Sequence, residues 1–302
     1  MRPVADILDA AYIGSRAATH ELCASIRPAH TWDADALASP LREAFAQVRQ
    51  IAGLPLCSDD DKKLFTQRRL SRSLETARLR LWDAGVPAAS RVRRLAYAAK
   101  GAGRLYELTP SRTLDMKLST NQFATNVACR LGVDVMEGGD ACPKCGIQLD
   151  CKGLHFWSCM AGGDATLEHN VVRDIFADFC QRGGLRPQTE APGVLIGSLE
   201  RPADVLVVPQ LALATLLPDG SRRVTTEKVC LDFAVINALG PGHWSETATG
   251  SGVAAEAYDA HKRRRNNTEA RCREQGLVFC PVVFEQQGGR SKGADAVVLM
   301  MP

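Results

Sequence analysis

The chain has 302 residues, of which 45% are hydrophobic and 24% are charged. This balance excludes disorder over most of the chain, and the length suffices for two domains or for one large domain with an appendage. The eleven cysteines are an odd number and no secretory leader follows Met1, so we expect an intracellular protein. The longest apolar stretch, residues 205–218, is too short to span a bilayer.

Residues 1–135 are predicted to be mainly helical, because apolar residues recur at helical spacing. They do so at Leu64, Leu70, Leu74, Leu79 and Leu81, and again at Phe123, Val127, Leu131 and Val133. Two turn-forming segments, residues 85–87 and 109–111, separate the predicted helices.

The positive charge of the chain is concentrated in one segment. The net charge is only +3, but residues 61–120 carry fourteen lysines and arginines against five acidic residues. Such a surplus favours an acidic partner, either DNA or RNA. A solvated helix surface is the alternative, since lysine and arginine also keep helices soluble. We predict that nucleic-acid phosphates contact four arginines of this segment, Arg68, Arg69, Arg93 and Arg94.

Residues 136–165 have a different composition, with six glycines among cysteines and almost no apolar periodicity. The spacing Cys-x2-Cys-x9-His-x3-Cys is formed by Cys142, Cys145, His155 and Cys159. Three thiolates and one imidazole are a set that zinc binds tetrahedrally, and four protein ligands close the site to substrate. We therefore predict a structural zinc ion. Cys151 is an alternative ligand, and ordinary buried cysteines are the alternative to any metal.

Residues 166–302 are predicted to form an α/β domain. Residues 167–182 have the pattern of an amphipathic helix whose apolar face carries Val171, Ile175 and Phe179. Runs of β-branched residues predict strands at 204–208, 229–236 and 277–284, and a polar helix at 252–275 separates the last two. The fold class is therefore α+β, with a helical region at 1–135, a zinc module at 136–165 and an α/β domain with a central mixed sheet at 166–302.

Two aspartates lie in or beside the apolar strands of this domain. An ionised carboxylate is costly to bury among valine and leucine, so Asp204 and Asp232 need a cation or a strong hydrogen-bond partner. Oxygen ligands of this kind hold Mg²⁺, which assists phosphodiester hydrolysis. Glu190 is a candidate third carboxylate. The alternative for each acid is a residue at a strand end that faces solvent or caps a turn.

A lysine that orients or deprotonates water is not found next to Asp232, because alanine occupies position 234. The following helix carries His261 and then Lys262, and a side chain from this helix can reach back over the carboxylates. We predict that Lys262 takes this role, with Lys228 as the alternative on the strand of Asp232. The next three residues, Arg263, Arg264 and Arg265, are predicted to contact phosphate groups.

Several motifs follow one another in a fixed order. They are Cys-Pro-Lys-Cys-Gly at 142–146, Gly-Leu-His at 153–155, Glu-His-Asn at 168–170, Arg-Pro-Ala-Asp at 201–204, Leu-Asp-Phe-Ala-Val at 231–235 and Phe-Cys-Pro-Val-Val-Phe-Glu at 279–285. With the helix that carries Lys262, they make the segment from about residue 131 onward resemble one known family. This family is the restriction-like endonuclease region of site-specific non-LTR retrotransposon proteins, a branch of the PD-(D/E)xK nucleases.

The resemblance implies a restriction-endonuclease-like fold and a division of roles. In that family the two acids bind the metal, a lysine displaced onto the following helix assists, and the zinc motif helps to grip nucleic acid. The resemblance places Asp204, Asp232 and Lys262 in those roles. We also expect His169 and Arg201, which lie in matching motifs, to contact the nucleic acid.

The chain departs from the family pattern at three places. Glu168 stands where the family usually has arginine, and Asn266 stands where a tyrosine usually follows the lysine helix. Residues 210–226 resemble an inserted hairpin or loop between the two aspartates. The chain also has no Tyr/Phe-x-Asp-Asp polymerase motif, so it has no reverse transcriptase site of its own.

The leading hypothesis is a Mg²⁺-dependent DNA endonuclease that nicks target DNA in the nucleus for retrotransposon insertion. One alternative is a nucleic-acid-binding remnant that has lost catalysis. The other is a structural, zinc-stabilised interaction domain. No membrane partner is expected.

Overall fold

The computed structural model describes residues 67–108, 111, 117–197, 201–208, 213–216, 222–225 and 227–299, together with residues 46 and 50. The chain divides into two compact units, residues 1–87 and residues 88–302. In the first unit the described helix is α1 (Gln67–Gly85), where Leu74 is buried. The second unit contains the predicted zinc ligands and carboxylates.

Helices and strands alternate in the second unit. The helices are α2 (Ala88–Tyr97), α3 (Arg104–Glu107), α4 (Thr120–Leu131), α5 (Asp164–Arg182), α6 (Trp244–Thr249), α7 (Val253–Arg264), α8 (Thr268–Glu274) and α9 (Lys292–Leu299). The strands are β1 (Arg186–Thr189), β2 (Val205–Val208), β3 (Leu213–Leu216), β4 (Arg222–Thr225), β5 (Lys228–Ile236) and β6 (Leu277–Glu285). Short 3-10 turns occupy Leu154–Trp157 and Arg265–Asn267.

Helix α4 shows how local sequence sets the ends of an element. The Ser119 hydroxyl accepts a hydrogen bond from the Gln122 amide, and the Gln122 side chain accepts one from the Ser119 amide. This reciprocal pair satisfies two amide groups that would otherwise lack a partner at the start of the helix. The helix ends at Gly132, whose φ of 74° is readily reached only without a Cβ atom.

The sheet has four strands in the order β1-β2-β5-β6. Strands β1 and β2 pair antiparallel, as do β2 and β5, whereas β5 and β6 run parallel over nine residue pairs. The predicted central mixed sheet is thus confirmed. Pro281 lies in the middle of β6, and it is tolerated because β6 is an edge strand in which one row of backbone groups needs no partner strand.

Helices pack on both faces of the sheet. On one face, Phe176 of α5 and Ala294 of α9 join Val205, Leu231 and Phe233 in a buried cluster. On the other face, residues of α7 and α8 pack against strand residues of opposite parity, such as Cys230. The alternation of side chains along β5 therefore supplies two cores, one on each face.

Helix α5 buries a different face from the one predicted. The predicted apolar residues Val171 and Ile175 are each 48% exposed, and Phe179 is 38% exposed. The buried residues are instead Phe176 and Cys180, which contact the sheet. This helix carries apolar residues on two faces, so periodicity alone does not select the one that meets the core.

The predicted polar helix at 252–275 is interrupted. Asn266 and Asn267 have φ values of 49° and 54°, in the left-handed region that asparagine tolerates better than most residues. Their positions end α7 and begin α8, so the segment forms two helices and not one.

Three short strands lie between α5 and β5 in addition to β2. Strand β1 was not predicted, because it is short and contains Pro187. Strands β3 and β4 pair antiparallel within the predicted insertion, which confirms the hairpin.

Among the described residues no helix has the length and apolar character needed to cross a membrane.

The observed division at residue 87 differs from the predicted boundaries at 135 and 165. Val92 and Ala96 of α2 are buried against Ala234, Ile236 and Val283 of the sheet. Helix α2 therefore belongs to the same compact unit as the α/β elements.

Candidate functional site

The four predicted zinc ligands converge. The sulfur atoms of Cys142 and Cys159 are 3.9 Å apart, and Cys145 Sγ lies 3.1 Å from His155 Nε2. All four ligand atoms lie within 4.8 Å of one another. Bonds of about 2.3 Å to a tetrahedral centre separate the ligands by roughly 3.8 Å, so the cluster can hold a metal ion such as zinc.

The loop that carries the first two cysteines favours the thiolate form. Hydrogen bonds from the backbone amides of Lys144 and Cys145 lower the pKa of the Cys142 thiol to about 6. The thiolate is the form that binds metal. Cys151, the alternative ligand, lies outside the cluster, and its hydrogen bond with the Asp134 carboxylate raises the pKa of its thiol.

The zinc module is attached to the sheet and to α5. Asp150 accepts hydrogen bonds from the backbone amides of Leu154 and His155, at 3.1 and 3.0 Å, and so fixes the turn that carries the imidazole. Asn237, just after β5, donates to the Ser158 hydroxyl at 2.8 Å. Lys144 forms an ion pair with Asp164, the first residue of α5. The module thus lies against β5, which carries Asp232, and against α5, which carries His169.

The two predicted aspartates lie on neighbouring strands. Asp232 is within β5, and Asp204 immediately precedes β2. The Asp204 amide donates to the Leu231 carbonyl oxygen at 2.9 Å, and the Asp204 carboxylate accepts from the Phe233 amide, so Asp204 lies beside the segment of β5 that carries Asp232. The two carboxylates are close enough for Asp204 to raise the pKa of Asp232, and two like charges at such a distance are destabilising without a counter-charge.

Asp204 is stabilised as an anion. Its Oδ2 accepts a hydrogen bond from the Phe233 amide at 2.6 Å, and its Oδ1 lies 3.4 Å from His169 Nε2. Burial alone favours the neutral acid, but these hydrogen bonds outweigh it and lower the pKa of Asp204. The same hydrogen bond with Asp204 raises the pKa of His169, against the effect of partial burial.

Asp232 is shifted in the opposite direction. Burial raises the pKa of Asp232, and the negative charge of Asp204 adds to this effect, while the Lys262 ammonium opposes it. Two acids with pKa values driven apart are typical of sites at which one group stays charged and the other holds a proton or a cation.

Lys262 reaches the carboxylates from α7, as predicted for a lysine on the following helix. Its Nζ is 2.8 Å from Asp232 Oδ1 and donates to the Phe233 carbonyl oxygen at 2.8 Å. The Lys262 side chain is 14% exposed, so this ion pair is largely shielded from water. Lys228, the alternative lysine, lies at the exposed first position of β5.

Glu190 is engaged by two arginines. Its Oε1 accepts from Arg173 at 2.8 Å and its Oε2 accepts from Arg201 at 3.2 Å. Within the described residues, the cysteine–histidine cluster is the only group of three or more potential ligands close enough to share a metal. The oxygens of Glu190 are directed to guanidinium groups, and its role as a third metal-binding carboxylate stays a prediction.

Arg173 is the residue of this region that sequence reasoning missed. It follows His169 by four positions on α5, so both side chains lie on one helical face. That spacing was readable in the sequence once His169 had been singled out. The partner of Arg173, Glu190, lies on another element and has no such local signal.

Some of the predicted nucleic-acid contacts have partners within the protein. Arg263 pairs with Asp259 and Glu269, and Arg93 donates to the Cys129 carbonyl oxygen at 2.8 Å. These two arginines therefore contribute to the fold, and their contact with phosphate groups stays a prediction.

Other predicted contacts face solvent or remain undescribed. Arg264 and Arg265 are exposed at the end of α7, Arg201 is exposed beside Glu190, and Arg94 is partly exposed on α2. The side chains of Arg68 and Arg69 lie outside the described part of the protein.

No family model matches this chain, and comparisons with curated proteins and with solved structures found no match either.

Proposed function

We propose that this protein is a metal-dependent DNA endonuclease in which Asp204 and Asp232 bind Mg²⁺ and Lys262 assists hydrolysis. The observation that carries the proposal is the pair of interacting carboxylates, Asp204 and Asp232, with the Lys262 amine 2.8 Å from Asp232. The order of motifs and their resemblance to the endonuclease region of non-LTR retrotransposon proteins support target-DNA nicking in the nucleus as the biological role. The mixed sheet with helices on both faces supports a restriction-endonuclease-like domain.

Each residue contributes a separate function to this reaction. A bound Mg²⁺ would polarise the scissile phosphate and lower the pKa of a water molecule. Asp204, held as an anion by His169 and the Phe233 amide, supplies a permanent negative charge for the ion. Lys262 donates to the Phe233 carbonyl oxygen and to Asp232, so its amine is held within reach of a water molecule at the carboxylates.

The zinc module and the exposed arginines of α7 would hold the DNA. Arg264 and Arg265 offer positive charge at the end of the helix that carries Lys262. Such contacts bind any sequence, so they position the duplex and do not select the target.

A plasmid-nicking assay tests the proposal. The purified protein should convert supercoiled plasmid to the nicked circle with Mg²⁺ and not with excess EDTA. Loss of an outer partner of a metal ligand costs about 10- to 100-fold, so Asp204→Asn, which removes a ligand, should lower the rate at least about 100-fold. Binding of DNA in EDTA should persist or tighten in this variant, because a negative charge beside the phosphates is removed.

Asp178→Asn is the matched control, because it removes one carboxylate from the exposed surface of α5. It should leave the nicking rate unchanged. Nicking that survives EDTA, or that is equal in Asp204→Asn and the unaltered protein, would contradict the proposal.

A second function, a nucleic-acid-binding protein without catalysis, is favoured by one observation. Both oxygens of Glu190 are engaged by arginines, so two carboxylates and not three are left for the ion. This alternative predicts tight DNA binding with no Mg²⁺-dependent nicking, and the same assay decides between the two.

A further inference from the structure

Two arginines from separate segments form a fork around one carboxylate. Arg173 extends from α5 and Arg201 from the segment before β2, and their guanidinium groups bind opposite oxygens of Glu190. Arg173 is also paired with Asp174, at 2.7 Å, and its side chain is 15% exposed. A fork of this kind matches any planar or tetrahedral anion that presents two oxygens, so it suits carboxylate and phosphate alike.

The fork lies beside the carboxylate pair. The Glu190 amide donates to the Asp204 carbonyl oxygen at 2.9 Å, which places Glu190 next to Asp204 across two strands. On the other side, His169 contacts Asp204, and Arg173 lies one helical turn further along α5. The positive charge of Arg173 is close enough to oppose protonation of His169.

The backbone of Glu190 has an unfavourable conformation. Its φ of 51° lies in the left-handed region, which an L-residue with a long side chain rarely adopts. The Glu190 side chain is 42% exposed and that of Arg201 is 58% exposed, so an anion from solvent can reach the fork. Strained backbone of this kind concentrates at ligand-binding sites, where binding relieves or uses it.

We propose that Arg173 and Arg201 form a binding subsite for a backbone phosphodiester of the nucleic-acid substrate, and that the Glu190 carboxylate occupies this subsite in the free protein. This inference rests on the proposed function, since it takes DNA as the ligand. Glu190 then acts as an internal competitor. A phosphodiester that enters the fork displaces its carboxylate and comes to lie beside Asp204.

The test measures binding of a short fluorescent DNA duplex in excess EDTA over a range of salt concentrations. Glu190→Gln should raise affinity about fivefold, because a carboxylate no longer competes with phosphate for the guanidinium nitrogens that Glu190 engages. It should also steepen the log–log salt dependence by up to about 0.9, the value for one further phosphate contact. Arg201→Gln should lower affinity and flatten the salt dependence by a similar amount.

Asp178→Asn is again the control. Like Glu190→Gln, it removes one negative charge, in this case from α5. It likewise releases an arginine, Arg182, from an ion pair. If net charge alone sets affinity, it should match Glu190→Gln. The subsite predicts that it changes affinity less than about twofold.

A double variant shows whether the two effects share one site. With Arg201→Gln already present, Glu190→Gln should give a smaller gain than it gives alone. Thermal unfolding of each variant confirms that it is folded. If Glu190→Gln fails to fold, Arg201→Gln alone decides, because its side chain is the more exposed of the two arginines, and unchanged affinity in it overturns the subsite.

Other outcomes separate this inference from the proposed function. Unchanged or weaker binding by Glu190→Gln overturns the subsite, even if the plasmid is nicked. Loss of nicking by this variant with unchanged DNA affinity would make Glu190 a metal ligand and also overturns it. Tighter binding by Glu190→Gln supports the subsite even if the unaltered protein nicks nothing, in which case only the nuclease proposal fails.

Discussion

The cysteine–histidine cluster and the carboxylate pair differ in where their side chains come from. The cluster takes all its ligands from residues 142–159. The carboxylate pair combines Asp204 and Asp232 from two strands with Lys262 from α7. A site built from one short segment depends on a bound metal to hold its side chains in place. In a site built on a sheet, the packed strands already hold the side chains in place.

Apolar side chains are exposed around the cysteine–histidine cluster and buried beside the carboxylate pair. Around the cluster, Ile147, Phe156 and Met160 are 58%, 53% and 78% exposed. Beside the carboxylates, Val205 and Phe233 are 0% and 1% exposed. The zinc module therefore has little core of its own, and a metal ion at the cluster would supply stability that apolar burial supplies in the sheet. At the carboxylates, the Lys262 ammonium provides a counter-charge.

The largest expected effect is in the zinc module. Cys145→Ser should abolish metal binding and unfold the zinc module, residues 136–165, because structural zinc contributes about 10–16 kcal/mol in small peptides. Hydrogen exchange should show loss of amide protection there and retained protection in β5 and β6. Metal content should fall from one equivalent to none. Cys151→Ser, which changes a cysteine outside the cluster, should keep both metal and protection.

If Cys145→Ser also removed protection from β5 and β6, the two regions would fold as one unit and the comparison would be wrong. Retention of a full equivalent of zinc would instead show that the four side chains are not the ligand set.

The connection between the two regions is the next target. Asn237 is 7% exposed, donates to the Ser158 hydroxyl and accepts from the Leu239 amide and from Gln287. Asn237→Ala leaves these buried groups without a partner and should lower the free energy of unfolding by about 2–3 kcal/mol. Urea denaturation measures this.

Asn126→Ala is the control for Asn237, since the Asn126 amide bonds to Gln122 of its own helix. We expect a change within about 0.5 kcal/mol. Equal effects of the two substitutions would show that Asn237 does not couple the module to the sheet.

Lys262→Met tests whether the Lys262 ammonium stabilises the two carboxylates. In EDTA it should lower the free energy of unfolding by about 1–3 kcal/mol, because two interacting carboxylates lose the ammonium group beside them. This range is reduced from that of a fully buried pair, since Asp232 is 24% exposed. Mg²⁺ should restore most of the loss, since an ion at the carboxylates replaces the missing charge. Thermal unfolding with Mg²⁺ and with EDTA gives both values.

Lys100→Met provides the comparison for a surface ion pair. The Lys100 side chain is 67% exposed and pairs with Asp295, so its loss should cost less than about 1 kcal/mol with no dependence on Mg²⁺. If Mg²⁺ stabilised both variants equally, the ion would not act at the carboxylates.

The smallest expected effect concerns pH. The pKa of His169 is raised by its hydrogen bond with Asp204, so its contribution to stability is fully present below the unfolded pKa of about 6.5. It is lost as pH rises through the higher pKa of the folded state. His169→Gln should therefore lose up to about 1 kcal/mol at pH 5.5 and much less at pH 8.5.

Chemical denaturation at the two pH values measures the effect of His169→Gln. His261→Gln, at an exposed position of α7, should keep the pH dependence of the unaltered protein. A loss that is equal at both pH values would assign the effect to packing and not to the charge of His169.

Local features were predictable from the sequence, and features that depend on distant partners were not. The zinc ligands were found because their chemistry and spacing lie in one segment. Asp204 and Asp232 were found because charged residues interrupt apolar runs. The ion pairs of Glu190 were not predicted, because Arg173 and Arg201 approach it only in the folded chain.

The same reasoning explains the errors in the fold. Residues Val171 and Ile175 of α5 are apolar and at helical spacing, but the sheet selects the neighbouring face that carries Phe176. The break between α7 and α8 depends on two adjacent asparagines in the left-handed region, and such residues also occur within helices. In both cases tertiary contacts or local backbone geometry decide among patterns that the sequence leaves equivalent.

The central claim is that Asp204 and Asp232 bind one divalent cation between them. In the free protein, the Lys262 ammonium supplies the positive charge that this cation would bring. Anomalous diffraction from crystals soaked in Mn²⁺ tests it most directly. The account predicts one anomalous peak at about 2.1–2.2 Å from an oxygen of each carboxylate, with Lys262 Nζ moved away from Asp232. A Mn²⁺-soaked crystal with no peak there, in which the Nζ atom still lies 2.8 Å from Asp232 Oδ1, would contradict it.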